Sequence, residues 1–138
     1  MSALLAPAVL LTGAANPNSL DIHIADLRSA KGVIRICVTS DAKAFPDCQK
    51  SPQAIKRSIP AAAPHVRIEG IPHGNYAIAA IHDENSNSKL DTFAGIPREG
   101  FGFSRNPKIR FGPPRFTSAQ VAIGDGAGRQ DIRMKYML

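Results

Sequence analysis

The chain has 138 residues, with 17 Lys and Arg against 11 Asp and Glu, two cysteines and no tryptophan. That length suits one domain with a real hydrophobic core and is too short to expect two. Eleven Gly, eleven Pro and an aromatic share of only 6% favour short strands joined by turns over long helices.

The opening "MSALLAPAVLLTGAANPNSLD" has no charged side chain before Asp21. Its apolar run around Leu4, Leu5, Val9, Leu10 and Leu11 is too short to span a bilayer. It reads as a signal peptide over residues 1–15, with the small residues near Ala15 available for cleavage, although the usual positive n-region is missing. The alternative is a loose, disordered amino-terminal strand. On the first reading the protein is periplasmic or secreted, with no transmembrane helix in the mature chain.

Period-two alternation starts at "SLDIHIADL", where Leu20, Ile22 and Ile24 face one way and Asp21 and His23 the other. "GVIRICVTS" repeats it with Ile34, Ile36 and Val38. The turn "RSAKG" between them, with Gly32 free to take a positive φ, predicts a hairpin. Cys37 lies in the second strand and Cys48 in the polar return after it, where Pro46 and Asp47 favour a turn. In an oxidising compartment the two are expected to pair, closing a short loop that contributes about 2 to 3 kcal/mol; elsewhere they would be two free thiols. Two cysteines without Cys-x-x-Cys spacing offer neither a four-thiolate zinc site nor a redox motif.

Pro46 to Pro64, rich in Pro, Ser and Ala, reads as a crossing between sheets rather than a strand. "HVRIEGI" then alternates Val66 and Ile68 against His65, Arg67 and Glu69, and "PHGN" turns the chain into "YAIAAIHD", which predicts a second hairpin. "YAIAAI" is apolar on both faces and is expected to be the central strand. Phe93 to Arg115 reads as a long irregular excursion, and such loops are often functional. "AQVAI" and "RQDIRMKYML", separated by "GDGAG", supply the last strands. About seven short strands in all predict an all-β fold, an antiparallel Ig-like or transthyretin-like sandwich.

Between Ile71 and Pro107 the chain reads "IPHGNYAIAAIHDENSNSKLDTFAGIPREGFGFSRNP", followed by "FGPPRFTSAQVAI". The Gly-x-Tyr-Ala strand, the Asp-x-Asn-x-Asn loop, "GIPREGFGFS" and the "GPP" turn together resemble the small exported bacterial family catalogued as domain of unknown function 2141. The resemblance covers residues 20–138 as one domain and implies an Ig-like or transthyretin-like sandwich behind a signal peptide. It implies no activity.

The loop "DENSNSKLD" is the strongest candidate site. Asp83, Asn85, Asn87 and Asp91 offer side-chain oxygens at alternating positions, and Lys89 offers a main-chain carbonyl, a donor set of the hard-oxygen kind that calcium takes. An EF-hand is excluded, because the sixth place holds Ser88 where glycine is needed and the twelfth holds Ala94 where an acid is needed. Asx turns that satisfy the loop's own backbone are the competing explanation.

Arg98, Arg105, Lys108, Arg110 and Arg115 interleave with Phe101, Phe103, Phe111 and Phe116. In an exported protein this pattern suits an anionic surface, a glycan or an envelope protein rather than nucleic acid, with the phenylalanines tucked inward. No phosphate loop, Gly-x-Ser-x-Gly elbow or His-Glu-x-x-His occurs, and no motif names Ser104 a nucleophile. The sequence therefore reads as an exported, monomeric binding or accessory module without a catalytic set, with calcium as its candidate ion. The rivals are a hydrolase-like or metal-dependent enzyme using His82, Asp83, Glu84 and Glu99, and a structural envelope protein without a ligand.

Overall fold

The computed structural model describes residues 2–7, 18–49, 51–88, 92–93, 96–109 and 112–138. Ten strands and one short helix follow in order: Ser19–Ala25 (β1), Val33–Thr39 (β2), Ile55–Pro60 (β3), His65–Glu69 (β4), Gly74–Asp83 (β5), Thr92–Phe93 (β6), Ile96–Pro97 (β7), Gly100–Phe103 (β8), Phe116–Ala119 (α1), Gln120–Ile123 (β9) and Ala127–Arg133 (β10). Eight of them make two sheets, one of order β10-β1-β4 and one of order β3-β2-β5-β8 with β9 also on β5; β6 and β7 form a separate small pair. The fold is the expected all-β sandwich.

Its core lies between the sheets. Leu20, Ile22 and Ile24 from β1, Ile68 from β4 and Ile132 from β10 meet Ile34, Ile36 and Val38 from β2 and Tyr76, Ile78 and Ala80 from β5. These are the inward residues of each alternation, and their removal from water is the main force that holds the layers together.

The ten-residue β5 is central, as its two-faced apolar pattern predicts. One edge pairs with β2 over Ala77 to Asp83. The other is shared end to end by β9, from Gly74 to Ala77, and β8, from Ala79 to His82. Ser104 fills the joint: its N–H donates to the Ile78 carbonyl at 3.0 Å, its Oγ accepts from the Ile78 N–H at 2.9 Å and donates to the Ala119 carbonyl. This serine is fully buried, and its chemistry is spent on the sheet.

Both predicted hairpins are absent. β1 pairs with β4 and, in parallel, with β10, whereas β2 lies in the other sheet; likewise β4 and β5 lie in different sheets. "RSAKG" and the turn before Tyr76 reverse the chain but carry it across the sandwich, because each strand's inward face is covered best by the opposite layer. Gly32 does take a positive φ of 69°, and a Cβ there would lie 2.1 Å from the Asp83 carbonyl oxygen, so the turn is closed by direct backbone contact with the end of β5. Two segments expected to be irregular contain strands. Ile55–Pro60 pairs with β2, and Gly100–Phe103 pairs with β5.

In β8 the alternation is Gly inward and Phe outward. A Cβ on Gly102 would meet Ile132 Cγ2 at 2.6 Å, so the strand sits closer to β10 than any side chain allows. Phe101 and Phe103 turn to the outer face of the five-stranded sheet, where they join Cys37, Cys48, Ala77, Ala79, Phe45 and Phe116 in a second apolar cluster. Cys37 and Cys48 are bonded, with Cα atoms 5.7 Å apart, which ties the loop after β2 down over that face.

Candidate functional site

At the end of β5 the period of two sends His82 to the inner face and Asp83 to the outer one, both at 0% exposure. His82 Nε2 lies 2.7 Å from the Lys31 carbonyl and Nδ1 lies 2.7 Å from the Tyr136 hydroxyl. A carbonyl only accepts, so Nε2 carries the hydrogen, and in the neutral ring Nδ1 then accepts from the Tyr136 O–H. The same hydroxyl accepts from the Arg28 N–H at 3.2 Å. Every polar atom of the imidazole and the phenol is thereby used.

Arg28, in the crossing between β1 and β2, gathers the surrounding segments. Its Nε donates to Glu84 Oε1 at 2.7 Å, Nη2 to the Arg98 carbonyl at 2.8 Å and Nη1 to the Leu138 carbonyl, while the guanidinium stacks 4.5 Å from the centre of the Tyr136 ring. Ser29 Oγ donates to Glu84 Oε2 at 2.8 Å. Burial pushes the Glu84 carboxyl up, but hydrogen bonds from Arg28 and Ser29 and the nearby positive charge outweigh it and hold the group below its ordinary value. Burial pushes the Tyr136 phenol up, with Glu84 adding to the rise. A planar fork satisfied on several sides is a rigid clasp.

On the outer side, Asp83 Oδ1 accepts from the Asn87 N–H at 3.2 Å and Oδ2 from the Ser88 N–H at 2.8 Å, and Arg35 Nε stands 3.5 Å from Oδ2. Asn85 Oδ1 also accepts from the Asn87 N–H, at 3.3 Å. Ser86 and Ser88 both have positive φ, which curls the loop tightly round the Asp83 carboxylate. Of the five proposed calcium ligands, Asp83 and Asn85 have side-chain oxygens on the same N–H, Asn87 takes part through its backbone N–H, and Lys89 and Asp91 lie outside the described residues. Glu99 is buried at 3% exposure, directly before Gly100, which pairs with His82. Among the described residues, no three His, Cys, Asp or Glu side chains already converge on a metal position.

Beside the clasp is an open cleft of about 400 Å³ lined by Phe101, Ile109, Lys135, Tyr136 and Met137. Four of these are apolar or aromatic and one, Lys135, is a cation whose ammonium donates to the Pro107 carbonyl at 3.4 Å. Of the basic and aromatic residues singled out after Phe93, Phe101 lines this cleft, Phe103 and Phe116 are packed away, Arg98 and Arg105 are exposed, and Arg110 and Phe111 lie outside the described residues. Sequence reasoning missed Arg28, Ser29 and Tyr136. The clasp joins residues 56 and 108 positions apart, and no local spacing signals such a contact.

Fold and site together define a small all-β sandwich whose loop end is tied by a partly exposed polar network around the buried His82, beside an amphipathic cleft. The family model described as "Uncharacterized protein conserved in bacteria (DUF2141)" matches residues 22–131. The chain belongs to that family. Comparison with curated proteins and with solved structures found no match. Among the described residues no helix is long and apolar enough to cross a membrane.

Proposed function

We propose that this chain is an exported accessory module of the bacterial envelope whose loop end binds an anionic surface. The carrying observation is the cleft: apolar walls from Phe101, Ile109 and Tyr136, the half-exposed Met137 and the Lys135 ammonium at the rim, backed by the Arg28 clasp that fixes the loops before any partner arrives. A preorganised surface loses less conformational freedom on binding. A net charge of +6 favours approach to an anionic layer. Export is supported by the Cys37–Cys48 bond, which suits an oxidising compartment, and by Leu4 and Leu5, apolar side chains exposed at 97% and 92%, as suits part of a leader. Co-sedimentation with phosphatidylglycerol vesicles tests the reading. Binding should be clear to these and weak to phosphatidylcholine vesicles, and Lys135→Glu with Met137→Ala should abolish it. Equal binding by wild type and variant overturns it.

Calcium at the loop after β5 is a second reading, motivated by the two side-chain oxygens Asp83 Oδ1 and Asn85 Oδ1 that the loop brings to one side, which now accept from the Asn87 N–H at 3.2 and 3.3 Å and would have to exchange that donor for the ion. Asn87, Lys89 and Asp91 would complete the oxygen set. At about 100 times its Kd, calcium should add roughly 2.7 kcal/mol to the chelator-treated protein. Asp83 also caps its own loop, so its removal weakens the fold with or without the ion; Asp91→Ala is the cleaner variant. A melt unchanged by millimolar calcium rejects the site.

A further inference from the structure

The open face of the three-stranded sheet carries a row of side chains that none of this uses. His23 on β1 stands directly opposite His65 on β4 and, on its other side, level with Asp131 on β10. The two imidazoles are already together, with ring centres 4.7 Å apart and planes tilted by 32°.

We propose that His23 and His65, with Asp131 beside them, form a binding site for a divalent transition metal, copper(II) or zinc(II). Imidazole nitrogens are borderline-soft donors that suit both metals. A ligating nitrogen lies about 2.0–2.1 Å from zinc with its ring centre roughly 1 Å further, so two imidazoles on one ion have centres about 4.5–5 Å apart. The observed spacing falls in that interval, so rotation of the two side chains, without movement of their strands, suffices to aim one nitrogen of each ring at a shared ion. The frame is rigid, because Leu20, Ile22 and Ile24 on the other face of β1 and Ile68 on β4 are buried in the core. That anchoring fixes the register that sets the histidines opposite each other.

Asp131 supplies the third donor. Its carboxylate now faces Arg129, with Nη2 3.0 Å from Oδ1. Hydrogen bonding from that guanidinium keeps it ionised. Arg129 Nε also reaches both carboxylate oxygens at 3.2 Å, so coordination requires the carboxylate to exchange that fork for the ion, which the exposure of both partners, at 62% and 59%, permits. Asp21 and Arg133 flank the row on the same face, and Arg67 is turned away toward Glu69 and Ser19. Water takes the remaining coordination positions.

The test is titration of tag-free, chelator-treated protein with copper(II) or zinc(II) by calorimetry, with electron paramagnetic resonance on the copper form. One equivalent should bind, copper more tightly than zinc in keeping with the general order of divalent affinities, and the copper spectrum should show nitrogen coupling. His23→Ala and His65→Ala should each weaken binding by more than about tenfold, and Asp131→Asn by a smaller factor. His73→Ala should leave it unchanged, since His73 is held apart by Asp125. His23 is half-buried and His65 exposed, so the variants should keep the wild-type fold by circular dichroism. Wild-type affinity in the His23→Ala/His65→Ala double variant, or no binding by the wild type, overturns the proposal.

Discussion

The two faces of the five-stranded sheet are covered by different means, the inner one by the other sheet and the outer one only over a patch at its centre. The inner face presents Ile34, Ile36, Val38, Tyr76 and Ile78 to the other sheet. The outer face presents small residues, Ala77 and Ala79 beside Cys37, and is covered by Phe45, Phe101, Phe103 and Phe116 from loops and an edge strand. A sheet covered by a second sheet gains a continuous aliphatic contact. One covered by loops needs aromatic bulk and a covalent tie to hold that cover down, which makes the outer layer the part of the fold most dependent on the Cys37–Cys48 bond. The end of β5 joins the two regimes, with His82 closing the inner layer and Asp83 anchoring the outer loop.

The strongest test of this contrast is truncation on each side. Ile78→Ala, at a fully buried inner position, should destabilise by about 2 to 5 kcal/mol, because both transfer energy and a cavity are lost; chemical denaturation measures it. Replacing both cysteines with serine should lose about 3 kcal/mol by chain entropy for an 11-residue separation. Hydrogen exchange should then rise in the loop after β2 well before it rises in β1, and a uniform rise in both would break the contrast.

Tyr136→Phe sharpens the comparison at the junction. It removes the O–H that His82 Nδ1 accepts and leaves a buried acceptor unmet, for a loss of about 1 to 3 kcal/mol. Thermal melts of this variant, of His82→Phe and of the double variant should show coupling, the double loss falling short of the sum of the single ones, since each side chain acts through the other.

The smallest effect belongs to Glu84. Its folded-state carboxyl is held below the ordinary value, so its contribution is present above about pH 4.3 and is lost as pH falls through the folded pKa. At neutral pH the partly exposed Arg28–Glu84 pair contributes about 1 kcal/mol or less. Glu84→Gln should therefore flatten stability against pH only on the acid side, and a flattening near pH 7 would contradict the assignment.

By itself the sequence determined where the chain is extended and which side of each strand is apolar. Alternation in "SLDIHIA" became a half-covered strand, "VIRICVT" one that is also covered on its outer side from Cys37 onward, and "YAIAAI" a strand largely buried on both faces. Cys37 and Cys48 were legible as a pair because a short polar return joins them. The polar loop from Asp83 was legible too, since Asx chemistry is local. Tertiary structure alone decided which sheet each strand joins. A turn such as "RSAKG" encodes reversal of direction but not the partner, and inward-facing isoleucines are equally satisfied beside a neighbour or across from one until all strands are counted. The Arg28 clasp, the parallel pairing of β1 with β10 and the His23–His65–Asp131 row all join residues distant in sequence, where only the packed sandwich makes them neighbours.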